Sequence, residues 1–407
     1  MTGQEQLIER LTSFYRDTGG EVSPVPPAWV GGKDRSVRWL QPALASIALI
    51  VLAVGLAVTL RIVREEAQRK VTPLPVPSAS PLPSPSPSST PSPSWVTRQV
   101  LIGSVDAMSL DGSAVFALYH PSPINGRPDP ATTMLARIDR TTAAVTTAGP
   151  FPQAMPLARV TAGLWIGAGA NQGTAGPDTQ WLTLLDPVTL KVKQRIHLPG
   201  QPTPGLFSLP QLAGTSDLLW LAYGNSLYRL DAATGRVLQT QNLDGTATGL
   251  SIEPSSHRLY AGLVPSQGTE ALVIEWDGST GRRIASAPTG GVDLGGPTVV
   301  AAPGGVWITY ATGMQGAIEL RADSSLSLVA GPQHEHTNAI RAFVAGGALW
   351  LVDGGIGRVD CADLRTGAAA ASSQEIQPTI VTADANGSYL GDADGVGFLR
   401  PDPACPH

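Results

Sequence analysis

At 407 residues the chain is long enough for two or three domains, but only 14% of it is charged, the net charge is −5 and the pI is near 5.7. Soluble proteins average about 25% charged residues, and nucleic-acid binding needs a concentrated basic surface. No Lys/Arg cluster interleaved with aromatics occurs, so nucleic acid is excluded as a partner. The 45 Gly and 36 Pro point to many turns plus one Pro-rich segment, and 23 Arg against 4 Lys indicate a GC-rich, bacterial genome.

Residues 1–38 are polar. Between Gln4 and Tyr15 a helical period places Leu7, Leu11 and Phe14 on one face, and the run GGEVSPVPPAWVGG ends it. From Pro42 to Leu60 nineteen residues carry no charge, bracketed by Arg38 and Arg61. At about 1.5 Å per residue such a helix nearly crosses a ~30 Å hydrocarbon core, so a transmembrane helix is expected over 39–63. The polar run before it is too long for a signal-peptide charged region, and RIVREEAQRK after Leu60 offers no small-residue cleavage motif. The span reads as an uncleaved anchor.

Residues 71–94 form the next segment, with nine Pro and seven Ser between 73 and 93. Such a stretch cannot bury a core and favours extended polyproline II. At about 3.1 Å per residue it holds the following domain up to roughly 60 Å from the surface. The positive-inside count is nearly tied, with Lys33, Arg35 and Arg38 against Arg61, Arg64, Arg69 and Lys70. Two features break the tie: stalks of this composition lie outside cells, and both cysteines, Cys361 and Cys405, follow the stalk. The expected topology is a single-pass cell-membrane protein, N-terminus cytoplasmic and residues 95–407 outside.

Seven copies of one phrase fill that last segment. Each has an apolar strand centred on an aromatic, a turn, a second strand ending in Asp, and another turn, clearest in LLWLAYGNSLYRLDAATGRVLQT (Leu218–Thr240). The aspartates are Asp139, Asp186, Asp231, Asp277, Asp323, Asp360 and Asp402, spaced by 37 to 47 residues. A period of about forty residues with strand and turn signals alone predicts an all-β, seven-bladed β-propeller. Trp165, Trp220, Trp307 and Trp350 read as wedges between blades, and the seven aspartates as turn-formers. Nothing after Asp402 supplies an outer strand, so Trp95–Gly103 is expected to complete the seventh blade and remove two open edges. In an exported domain the lone pair Cys361 and Cys405 is expected to form a disulfide.

LYRLDAATGRVLQT resembles the repeat of PQQ-like propellers, and IEWDGSTGRRIASAP is a weaker copy; the WD40 and YVTN propellers share the architecture. The quinoprotein dehydrogenases of that family hold their cofactor over vicinal cysteines, among a Trp motif in every blade. This chain has neither feature, so the resemblance implies the fold and no cofactor. The N-terminal layout is similar to membrane-anchored actinobacterial proteins, some of them anti-sigma regulators. Residues 1–38 lack the His and Cys of the zinc-type anti-sigma motif.

No G-x-S-x-G, HExxH or phosphate loop is present, and no catalytic or metal-binding residue is assigned. His334, Glu335 and His336 stand in GPQHEHTN, which reads as a loop between blades. DADG (Asp392–Gly395) opens like a calcium loop but aligns with a hairpin turn. Two of the expected connections between second and third strands are long, 120–132 and 167–180; they share one face of the propeller and carry His120, Asn125, Arg127, Asp129, Asn171, Gln172 and Asp178, and with His334–His336 these are the ligand-binding candidates. Three functions fit: a non-catalytic binding or scaffold module for a protein, cell-wall or small-molecule ligand; a transmembrane sensor signalling through residues 1–38; and a propeller lyase or hydrolase.

Overall fold

The computed structural model describes residues 95–399, apart from 122–132, 152–153, 169–179, 201–208, 267–269, 290–295, 313–314, 338, 375–377 and 385, and apart from the side chains of 312, 332–335 and 374. The expected cytoplasmic segment, transmembrane helix and stalk lie outside the described residues. Among those described, no helix is long and apolar enough to cross a membrane.

The described strands form seven four-stranded antiparallel sheets. Strand β1 (Val96–Leu101) is set apart from the next four, which make blade 1: β2 (Ser104–Asp111), β3 (Ala114–His120), β4 (Met134–Asp139) and β5 (Val145–Ala148). Blade 2 holds β6 (Ala154–Val160), β7 (Gly163–Ala168), β8 (Trp181–Leu185) and β9 (Val192–His197). Blade 3 holds β10 (Gln211–Gly214), β11 (Leu218–Tyr223), β12 (Ser226–Asp231) and β13 (Val237–Asn242). Blade 4 holds β14 (Gly245–Ile252), β15 (Arg258–Pro265), β16 (Ala271–Asp277) and β17 (Arg282–Thr289). Blade 5 holds β18 (Thr298–Ala302), β19 (Gly305–Thr312), β20 (Gln315–Ala322) and β21 (Leu328–Thr337). Blade 6 holds β22 (Ile340–Ala345), β23 (Ala348–Asp353), β24 (Arg358–Ala362) and β25 (Ala369–Gln374). Blade 7 holds β26 (Ile380–Asp384), β27 (Gly387–Gly391) and β28 (Gly395–Leu399), and β1 pairs with β28 to complete it. The expected seventh blade, shared between the two ends of the repeat region, is therefore present.

Four second strands are buried along their whole length, because both faces of each sheet pack on neighbours: AVFALYH, GLWIGA, LLWLAY and ALWLVD are buried at every residue. The wedges obey a rule. Trp165 Nε1 donates to Ala232 O at 2.8 Å, Trp220 Nε1 to Gly278 O at 3.0 Å and Trp307 Nε1 to Leu364 O at 3.1 Å. Each acceptor is the second residue of the five-residue turn joining the third and fourth strands of the next blade. The fifth residue of those turns is left-handed Gly235, Gly281 or Gly367. Where the wedge is a smaller ring, the glycine is replaced. Phe116 packs in one cluster with Leu190, Tyr260 with Leu326, and Tyr389 with Ala143, and all three replacements keep a left-handed backbone. A left-handed non-glycine costs about 1–2 kcal/mol, and burying a leucyl side chain returns about 1.5–3 kcal/mol. Ring size in one blade thus sets the turn residue in the next. Trp350 donates instead to Ala345 of its own blade and meets Trp95 of blade 7 edge-on, with centroids 6.1 Å apart.

The turns form because an Asp carboxylate caps them. Asp231 Oδ1 accepts from Ala233 N, Thr234 N and Thr234 Oγ1 at 3.1, 2.8 and 2.8 Å, and Asp139, Asp186 and Asp277 repeat the pattern. These bonds hold the Asp231 carboxyl below the usual range, the Thr234 hydroxyl most strongly. Two assignments need correction. In blade 6 the cap is Asp363, which accepts from Arg365 N and Thr366 N, whereas Asp360 is buried within β24 and accepts from Arg358 Nε at 2.7 Å. In blade 5 the turn runs Ala322–Leu326, and Asp323 joins it through its backbone, donating to Gly304 O. Asp402 lies outside the described residues.

The ring closes through Arg140 in the turn of blade 1. Its guanidinium reaches blade 7, forking onto Asp384 (NH1 to Oδ2 2.6 Å, NH2 to Oδ1 2.5 Å) and donating from Nε to the Tyr389 hydroxyl at 2.6 Å. The same hairpin that resembled a calcium loop seals the join. Asp392 Oδ1 accepts from Asp394 N and Gly395 N, its Oδ2 accepts from Gln99 of β1, and Asp394 O accepts from Ile102 N and Gly103 N.

Candidate functional site

Antiparallel connectivity puts two kinds of connection on one face: hairpins between second and third strands, and links from each fourth strand to the next blade. The strand ends that flank 121–133 and 169–180, His120 and Met134 in blade 1 and Ala168 and Trp181 in blade 2, lie here. Three of the inner strands carry a bulge near this face: β2 at Asp106, β6 at Met155–Pro156 and β14 at Thr248. A bulge re-aims a side chain. Thr248 Oγ1 turns to donate to Pro297 O at 2.6 Å, locking blade 4 to blade 5. Met155 is left 44% exposed. Asp106 is turned onto His120, the last residue of β3, with Oδ2 2.7 Å from Nε2. His120 is only 8% exposed.

This pair is the polar feature at the root of the first long connection. Asp106 was not legible beforehand, because SVDAMSLD reads as a plain alternating strand and the extra residue shows only in the pairing with β3. Of the other residues singled out in the two connections, Asn125, Arg127, Asp129, Asn171, Gln172 and Asp178 lie outside the described residues.

The His334–Glu335–His336 stretch is not an inter-blade loop. It belongs to β21, paired with β20 through Gly316–His336 and Gln315–Thr337. Three register shifts let the ten-residue strand absorb Pro332 and curve along the edge. The side chains of His334 and Glu335 are not described. His336 Nδ1 lies 3.9 Å from Asp353 Oδ2, and that carboxylate, 1% exposed, also accepts from Thr337 N and Gly355 N at 2.7 and 3.1 Å. Asp353 therefore staples the outer strand of blade 5 to a hairpin of blade 6. Among the described residues, no group of three or more His, Cys, Asp or Glu is placed to hold a metal ion.

No family model matches the chain, and no curated protein matches it. Solved structures do. Hydrazine synthase of Kuenenia stuttgartiensis is 12% identical with a TM-score of 0.53, over 75% of this chain and 97% of that one. The Cps50 (Swd1) β-propeller domain of Myceliophteria thermophila is 11% identical with a TM-score of 0.53, over 75% and 99%. BamB from Moraxella catarrhalis is 16% identical with a TM-score of 0.46, over 74% and 85%. The similarity is one of fold. The likeness to the Cps50 domain agrees with a β-propeller and leaves function to the site itself.

Proposed function

We propose that this protein is a membrane-anchored, extracytoplasmic propeller that binds a partner through the face bearing the two long connections, as a scaffold or recognition module rather than an enzyme. One observation carries the reading: the bulge in β2 directs Asp106 onto His120 at the root of the first of two long connections that leave strand ends on one face of neighbouring blades. Binding residues gather on loops held by a rigid scaffold, and this ring is rigid, each blade pinned to the next by a buried wedge. The expected anchor at 39–63 and the stalk at 71–94 would tether the propeller outside the membrane. The partner is a protein, a cell-wall component or a small molecule.

The test is protease treatment of intact cells carrying a C-terminal tag, followed by the same treatment after replacing 122–131 and 169–179 with short Gly/Ser turns. Loss of the tag from whole cells is expected. Protection until the membrane is breached would turn the topology around. Cell-surface phenotypes that survive the loop replacement unchanged would remove this face from the function.

A further inference from the structure

A second site lies on the flank of the propeller, between blades 1 and 2, independent of the face just described. It is a cavity of about 360 Å³ walled by Pro150, Phe151, Leu190 and Val192, with Ala148, Gly149, Thr183 and Arg195 completing the lining. Small-molecule sites begin at about 300 Å³. One lining residue departs from the repeat. In blade 3 the third-strand residue paired with Leu221, next to the wedge Trp220, is Tyr228. Its ring packs toward blade 2, and its hydroxyl approaches Gly200 so closely that a Cβ there would be 2.3 Å away. The equivalent residue in blade 2, paired with Ile166 next to Trp165, is Thr183. A threonine stands where the next blade carries an aromatic ring, and the cavity lies beside it, between the Pro150–Phe151 link and the outer strand of blade 2.

The slot is chemically prepared. Thr183 is 1% exposed, and its Oγ1 has no hydrogen-bond partner among the described residues, a costly arrangement for a buried hydroxyl. Arg195 is paired with Thr183 across β8 and β9 and so extends on the same side of the sheet. Its guanidinium stacks 4.2 Å over the Trp181 ring, and Phe151 packs against that ring with centroids 6.2 Å apart. Among the described residues Arg195 has no carboxylate partner. A cation fixed by stacking at the mouth of an apolar slot selects an anion with an apolar body.

We propose that this slot binds a small aromatic monocarboxylate, the ring lying against Phe151, Leu190 and Val192 and the carboxylate pairing with Arg195. Titration calorimetry of the full-length chain with 4-hydroxyphenylacetate, and with the matching uncharged alcohol, tests it. Saturable binding of the acid is expected. Arg195→Gln should weaken the acid by about tenfold or more while leaving the alcohol unchanged. Thr183→Tyr, which copies blade 3, should abolish binding with the melting temperature retained. Should that variant fail to fold, Val192→Trp at the exposed rim blocks the slot from outside. No saturable binding by the unaltered chain, or unchanged affinity in Arg195→Gln or in the blocked variant, overturns the proposal.

Discussion

At the scale of single residues, the wedge-and-turn rule makes a sharp test. A Cβ at Gly235 would fall 2.5 Å from Ile196 Cδ1 and 2.8 Å from the Trp165 ring, at a φ of +65°. Gly235→Leu should therefore destabilise by about 3 kcal/mol or more, adding clash to left-handed strain. Pairing it with Trp165→Phe copies the Phe116–Leu190 arrangement and should recover part of that loss, a coupling that urea denaturation of the double-mutant cycle would read directly. Asp392 gives a pH test. Burial pushes its carboxyl up, against the lowering effect of the Asp394 and Gly395 amides. Its folded value thus lies above the unfolded one of about 3.9. The stabilisation it gives is full below that pH and is lost as pH rises through the folded value. Asp392→Asn keeps an acceptor for both amides. It should melt above the unaltered chain at pH 7 and lose that margin on acidification toward pH 4; an unchanged difference across the range would contradict the assignment.

At the scale of elements, Arg140 makes the ion pair across the join between blades 7 and 1. Arg140 is 7% exposed and Asp384 is 32% exposed. Breaking a fully buried pair costs about 3–5 kcal/mol, and screening at the half-open Asp384 reduces this, so Arg140→Met should cost about 2 kcal/mol. The Arg140 guanidinium holds the Asp384 carboxyl below its usual range. That contribution is present above about pH 4 and is lost as pH falls through the depressed folded value. The acid limb of a stability–pH curve should therefore flatten in Arg140→Met. Inner-strand bulges belong to this scale too. Asp106 and Thr248 sit in strings that read as ordinary strands, and an extra residue becomes visible only against its partner strand. The HEHT stretch misleads for the opposite reason. Polar residues around a proline look like a loop, yet an edge strand tolerates both, because it has one hydrogen-bonded neighbour and can bulge on its free side.

At the scale of the whole molecule, closure decides stability. Cys361 is buried and held in a disulfide, and the sequence has one other cysteine, Cys405. Closing a loop of that length is worth about 4 kcal/mol in the chain-entropy model. Replacing both cysteines by alanine should lower the melting temperature by on the order of 10 °C, and an unchanged melt would show that β1, Arg140 and the Asp392 hairpin seal the ring without it. The sequence by itself determined the blade count, the second-strand wedges, most of the capped turns and the completion of blade 7 by Trp95–Gly103. Those features are local and periodic: each repeat must bury two sheet faces and turn sharply, and few residues do either. Tertiary structure decided the rest. It showed that Asp363 caps where Asp360 was expected, that Asp106 meets His120, and that Thr183, standing where the next blade carries Tyr228, lines a cavity. Each depends on which residue of one strand faces which residue of another, and that pairing is set by sheet register and blade packing rather than by any short stretch of chain.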